Sequence, residues 1–179
     1  RLHTIFDKSM ALFREQDPTP DPQASEKLDL LTLVRSEVRR IQPRHDGCTI
    51  EVSGLPAVVS GNEPALRTAI GIVLEHALVR SSGRGSVVAD VSGQEGQVLL
   101  DMMDRGPAPR EADLSQLFEL FASPDLRHHS NEVDLDRPIC AAIIRRHGGS
   151  IIACRPPGGG LLCQVSLPLA DRSDLRQTG

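Results

Sequence analysis

Apolar positions recur along this chain with two periods, and each switch of period marks an element. Residues 1–16 (RLHTIFDKSMALFREQ) set Leu2, Ile5, Phe6, Ser9, Leu12 and Phe13 on one stripe at helical spacing. Pro18, Pro20 and Pro22 then forbid a helix, so 17–26 reads as a linker. A helix with its own apolar seam ahead of a linker calls for a partner, either the following domain or a second chain. From Lys27 a second helical stripe runs through Leu30, Leu31, Val34, Val38 and Ile41 to Pro43. Arg35, Arg39, Arg40 and Arg44 lie opposite it and read as a solvated basic face. Strands follow at CTIEVSG and VVSG.

The clearest helix is 66–81. Asn62 is placed to cap it and Pro64 falls in its first turn. Leu66, Ala69, Ile70, Val73, Leu74 and Ala77 form its core face, and Ile72, His76 and Val79 share a flank. Two alternating runs, SVVADVS and QVLLDMM, join through GQEG as a hairpin. DRGPAP, a short helix ending in LFELF and the polar stretch ASPDLRHHSNE come next. A helix over 134–147 then ends at Gly148 and Gly149, residues suited to a left-handed cap. The strands SIIACR and LLCQVSLPL turn through PPGGG, and 170–179 reads as a loose polar tail. Strands in antiparallel pairs with helices between them predict an α+β fold, one mixed sheet in a two-layer sandwich with its helices on one face.

Composition narrows the chemistry. Four Phe, no Trp and no Tyr leave a core of aliphatic residues and no aromatic platform for bases. A net charge of −4 argues against general nucleic-acid binding. No apolar run is long enough to span a bilayer and no signal peptide opens the chain, so a cytoplasmic location is expected. The chain starts at Arg1 within a helical pattern and reads as a piece of something longer, with any membrane attachment upstream. Cys48, Cys140, Cys154 and Cys163 lack metal-site spacing and read as reduced thiols; Cys154 and Cys163 are candidates to face one another across the last hairpin.

The helix LRTAIGIVLEHALVRS and the loop DRGPAP resemble the nucleotide-binding core of histidine-kinase-type ATPases, the family that includes gyrase, Hsp90 and MutL. The resemblance covers 27–169 and is similar throughout to the ATP-binding domain of sensor histidine kinases; 1–16 resemble the end of that family's dimerisation hairpin. Leu66, Leu74 and Ala77 match the family's helix, but its two Asn positions are Ile72 and His76. The family holds Mg²⁺ through the carbonyl oxygen of the second Asn, and imidazole is a poor replacement because Mg²⁺ prefers oxygen. In the family's Asp-x-Gly-x-Gly, Asp104 and Gly106 are kept and Ala108 replaces the second glycine. The resemblance implies that Asp104 accepts the adenine amino group. LFELF, with Phe118 and Phe121, matches the next box. The glycine turn that cradles phosphate aligns with Asp134, Leu135, Asp136 and Arg137, putting two carboxylates where anions should sit.

His76 is expected to fill space, His128 and His129 to lie in an exposed loop, and Asp134 and Asp136 to favour a helix start. His3 lacks the acidic residue and Pro that follow the family's phosphoacceptor. No Ser-His-Asp or Cys-His arrangement is proposed, and no metal site is assigned. The resulting expectation is a histidine-kinase-like domain of a two-component protein that binds ATP/Mg weakly or not at all. It would act by docking a response regulator or partner kinase, and dimerise through upstream helices. The alternatives are an active ATP-binding domain that phosphorylates a His outside this chain, and a histidine phosphotransferase without use of ATP. Whether the chain is part of an enzyme stays open at this point.

Overall fold

The structure is a computed structural model and describes residues 26–45, 47–81, 85–114, 117–118 and 136–170. The expectations for 1–16, for most of the linker, for His3, Phe121, His128, His129, Asp134 and Leu135, and for the tail beyond Ala170 lie outside the described residues.

Five strands form the main sheet: β2 (Cys48–Gly54), β4 (Gly85–Gln94), β5 (Gln97–Asp104), β6 (Ser150–Cys154) and β7 (Leu161–Pro168), in the order β2-β4-β5-β7-β6. β2 is parallel to β4 and every other pair is antiparallel, so the sheet is mixed as expected. Alternation puts Val87, Ala89 and Val91, Val98, Leu100 and Met102, and Cys163, Val165 and Leu167 on one buried face. Helices α1 (Leu30–Ile41), α2 (Glu63–Arg80) and α4 (Asp136–Arg146) cover that face, while α3 (Glu111–Leu114) is a single turn. The result is a two-layer α+β sandwich, and all six positions expected on the core face of α2 are buried.

One strand was missed. β1 (Glu26–Asp29) pairs antiparallel with β3 (Val58–Gly61) in a separate two-stranded sheet, where the sequence suggested the approach to a helix. Four half-exposed residues carry too few alternations to be read as a strand; cross-chain pairing decides them. Asp29 then caps α1, its Oδ1 accepting from the Leu31 N–H at 3.0 Å. The last described residue is also tied in, since the Ala170 N–H donates to the Val58 carbonyl at 2.8 Å.

Two contacts fix α2, the helix on which the candidate chemistry lies. At its start, Asn62 Oδ1 accepts from the Ala65 N–H at 2.9 Å, while the Asn62 N–H donates to His147 Nε2 at 3.1 Å. His147 Nδ1 in turn donates to the Ile143 carbonyl at 2.7 Å, so the ring joins the end of α4 to the start of α2. Gly61 makes room for that ring, because a Cβ there would lie 2.4 Å from His147 Cδ2. Along its length α2 is clamped to α1 by Glu37. This fully buried carboxylate accepts from Arg40 Nε at 2.9 Å and Arg67 Nη1 at 2.7 Å. Arg67 also reaches Ser36 Oγ and Glu63. Arg40 is therefore half-turned inward rather than part of a purely solvated face.

Candidate functional site

The inward row of β5 runs Val98, Leu100, Met102 and ends on Asp104, a carboxylate in a position the pattern reserves for an apolar side chain. Asp104 is 1% exposed. A buried carboxylate needs partners, and two are present. Arg80 Nε donates to Oδ2 at 2.9 Å, and the Gly106 N–H donates to Oδ1 at 2.8 Å. Arg80, the last residue of α2, also donates through Nη2 to the Pro107 carbonyl, so one guanidinium ties helix end, strand end and loop together.

Glycine is required in this loop for packing. A Cβ on Gly106 would lie 2.4 Å from the Arg80 carbonyl oxygen, a backbone atom that cannot swing away. Gly160, at φ +87°, presses against the Asp104 carbonyl from the opposite strand. The charge of Asp104 is felt nearby. Burial pushes the Cys163 thiol up to about 12, with Asp104 adding to the rise and Arg80 opposing it. Cys140, buried beneath α2 with its Sγ 3.5 Å from the Ala69 carbonyl, is also raised by burial.

The structure brings only some of the sequence candidates together. Asp104 and Gly106 share the hydrogen bond just described. Ala108 is exposed two residues further on. Ile72 is partly buried against the core, and His76 is half-buried one turn later on the same flank of α2. Asp136 is the first residue of α4 and half-buried, while its expected companion Asp134 is outside the described residues. The helix predicted over 134–147 is described from Asp136 to Arg146. Cys154 and Cys163 do not face each other: Cys163 is opposite Ala153 and Cys154 opposite Leu162, which puts the two thiols on different faces of the sheet.

Arg80 escaped the sequence reading. It continues the flank of Ile72 and His76 at a spacing of four, so extending that stripe by one turn would have found it. Arg137, which the resemblance aligns with the glycine turn, is buried in the first turn of α4 and works against the rise of the Cys163 thiol, so a cation as well as the Asp136 carboxylate stands at that helix start. For Mg²⁺ the pair Ile72 and His76 is a poor fit, since Ile72 offers no donor and His76 offers nitrogen where that ion takes oxygen. Among the described residues, no group of three or more His, Cys, Asp or Glu is placed to hold a metal.

Comparison with known proteins matches residues 61–171 to the family described as histidine kinase-, DNA gyrase B-, and HSP90-like ATPase. The sensor protein CutS of Streptomyces coelicolor is 29% identical over 147 residues, 79% of this chain and 36% of its own length. A probable sensor histidine kinase of Mycobacterium tuberculosis, HK, is 26% identical over 169 residues, 94% of this chain and 44% of its own. This chain thus spans less than half the length of these curated relatives. Among solved structures, full-length ShkA in complex with AMPPNP superimposes with a TM-score of 0.78 at 19% identity, over 94% of this chain and 36% of that one. The mycobacterial sensor histidine kinase MprB gives 0.72 at 23% identity, over 81% of this chain and 97% of that chain. These structural likenesses concern the fold.

Proposed function

Because the chain belongs to the family of histidine kinase-, DNA gyrase B-, and HSP90-like ATPases, we propose that it is the ATPase-type domain of a two-component sensor kinase whose nucleotide site is weakened and whose main work is docking. The partner would be a response regulator or a second kinase, and dimerisation would run through segments upstream. What supports this reading is the flank of α2, where the sequence resemblance aligns Ile72 and His76 with the family's two Asn. A lost charge-assisted contact costs about 1.5–3 kcal/mol. Two such losses move a micromolar site toward the millimolar range, at about 1.4 kcal/mol per tenfold.

In this reading Asp104 keeps the capacity to accept from an adenine amino group, and Gly106 keeps the loop close to α2. Mg²⁺, where bound, would supply positive charge to the phosphates, and Ile72 and His76 do not suit it as ligands. Calorimetric titration of the chain with ADP and ATP, with and without Mg²⁺, tests the proposal. Binding weaker than about 100 µM and unimproved by Mg²⁺ is expected, at about 1.4 kcal/mol per tenfold from a micromolar site. Micromolar Mg-ATP binding that Asp104→Ala abolishes would refute it and favour the second reading, an active domain that phosphorylates a His elsewhere. The retained Asp104–Gly106 pair is what supports that alternative.

A further inference from the structure

We propose that Arg80 is a resident competitor for the base-reading carboxylate, so that a 6-aminopurine reaches Asp104 only when Arg80 releases it. The inference rests on the reading of Asp104 as the residue that recognises the base.

Access to one buried carboxylate decides what can bind it. The Asp104 side chain is 2% exposed, and each of its oxygens already accepts a hydrogen bond. The Gly106 N–H on Oδ1 belongs to the loop itself and cannot leave without unfolding the turn. Arg80 Nε on Oδ2 is different. It comes from a flexible side chain that is 19% exposed, at the end of a helix, and it can rotate toward solvent. The exocyclic amine of an adenine is also a donor and would approach the same carboxylate. A charged guanidinium outcompetes a neutral amine for a carboxylate, because charge-assisted hydrogen bonds are roughly twice as strong as neutral ones.

Arg80 is also held by a second point, the Pro107 carbonyl, so releasing it breaks two contacts. Both lie between the end of α2 and the loop after β5, and the Arg80 carbonyl is itself in close contact with Gly106. The guanidinium therefore closes the loop onto the helix while it neutralises the carboxylate. Each carboxylate oxygen keeps a second lone pair, but the side chain is only 2% exposed and Arg80 is the partner able to leave it. A ligand that needs Asp104 must therefore move Arg80 aside, and its apparent affinity falls by the fraction of molecules in which Arg80 is still latched. The same geometry sets selectivity. A bare carboxylate attracts a 6-amino group and repels a 6-oxo group, whereas a carboxylate already satisfied by arginine discriminates less between them.

The test measures ADP and IDP affinity by calorimetry in the 179-residue chain, in Arg80→Gln, in Asp104→Asn and in the double variant. Thermal unfolding accompanies each, because Arg80→Gln leaves Asp104 without its ion-pair partner. We expect Arg80→Gln to bind ADP at least tenfold more tightly than the unaltered chain and to prefer ADP over IDP by a larger factor. The gain should vanish in the double variant. Unchanged or weaker ADP binding in a folded Arg80→Gln, with binding still lost in Asp104→Asn, would overturn the competition while leaving base recognition by Asp104 standing. No detectable ADP binding in any folded variant would overturn both. Should Arg80→Gln fail to fold, the unaltered chain supplies the second measurement. Solvent exchange of the Arg80 Nε–H, followed by NMR during titration with ADP, should accelerate at saturation, and unaltered protection would overturn the proposal.

Discussion

Two buried carboxylates in this molecule solve the same electrostatic problem to different ends. Glu37 and Asp104 are both almost wholly withdrawn from water, and both are paired with arginine. Glu37 lies mid-helix, and its partners Arg40 and Arg67 come from the two helices it joins, with Ser36 and Glu63 completing the network around Arg67. Those hydrogen bonds, Glu63 first for Arg67 and Glu37 for Arg40, raise both guanidinium groups above their ordinary value. Asp104 ends a strand, and among the described residues its cationic partner is the tip of a helix touching a loop. A carboxylate paired across two helices ties them together. One held between a strand end and a loop keeps an exchangeable partner, and that difference separates a clamp from a candidate site.

The largest effect should come from breaking the clamp. Glu37→Ala removes the charge-assisted hydrogen bonds to Arg40 and Arg67 and, at about 1.5–3 kcal/mol for each, should cost about 3–5 kcal/mol in urea unfolding. A loss below about 1 kcal/mol would mean that both guanidiniums are rehydrated at once and that the clamp resembles an ordinary surface pair. Asp104→Asn is milder. The amide oxygen can still accept one donor, so a cost of about 1–3 kcal/mol is expected. It should abolish whatever adenosine binding the chain has, whereas Glu37→Gln should leave that binding within about twofold, well under 1.4 kcal/mol. Equal loss in the two variants would erase the distinction between clamp and site.

A third measurement reads the charge on Asp104 through its neighbour. The Cys163 thiol is raised to about 12 from an ordinary 9.0, so above pH 9 the unfolded chain loses that proton while the folded one keeps it. The folded state then binds more protons, and stability falls as pH rises from 9 to 12. With Asp104→Asn one cause of the rise is removed, and the Cys163 thiolate should appear at lower pH in an absorbance titration near 240 nm. An unshifted titration would show that burial alone sets it. The smallest effect is expected at Gly71→Ala. The added methyl would lie 3.3 Å from Arg40 Nη2 and 3.5 Å from Glu37 Oε2. The helical gain of alanine over glycine, up to about 1 kcal/mol, is opposed by that crowding. A net change within about 1 kcal/mol is expected, and a larger loss would mean that Arg40 cannot yield.

Much of the architecture was legible before any coordinates. The alternation in QVLLDMM and LLCQVSLPL, the Asn62 cap and the core stripe of α2 each express a local rule, and the structure keeps all of them. β1 was not legible, because four half-exposed residues become a strand only by pairing with β3. Glu37 was passed over for a similar reason: a glutamate in an amphipathic helix reads as solvent-facing until a second helix covers it.

The sequence by itself determined which residues alternate, which stretches carry a helical stripe, and which chemical groups stand at each position of the candidate site, since these depend on neighbours a few residues apart. Ile72, His76, Ala108 and Asp136 were singled out without a structure, through the family resemblance alone. Only the tertiary structure decided that Arg80 meets Asp104 across 24 positions of sequence, that Arg67 meets Glu37 across 30, and that His147 holds the start of α2 across 85. Pairings of that kind depend on where the sheet brings element ends together, and burial then turns an ordinary attraction between opposite charges into one that must be satisfied.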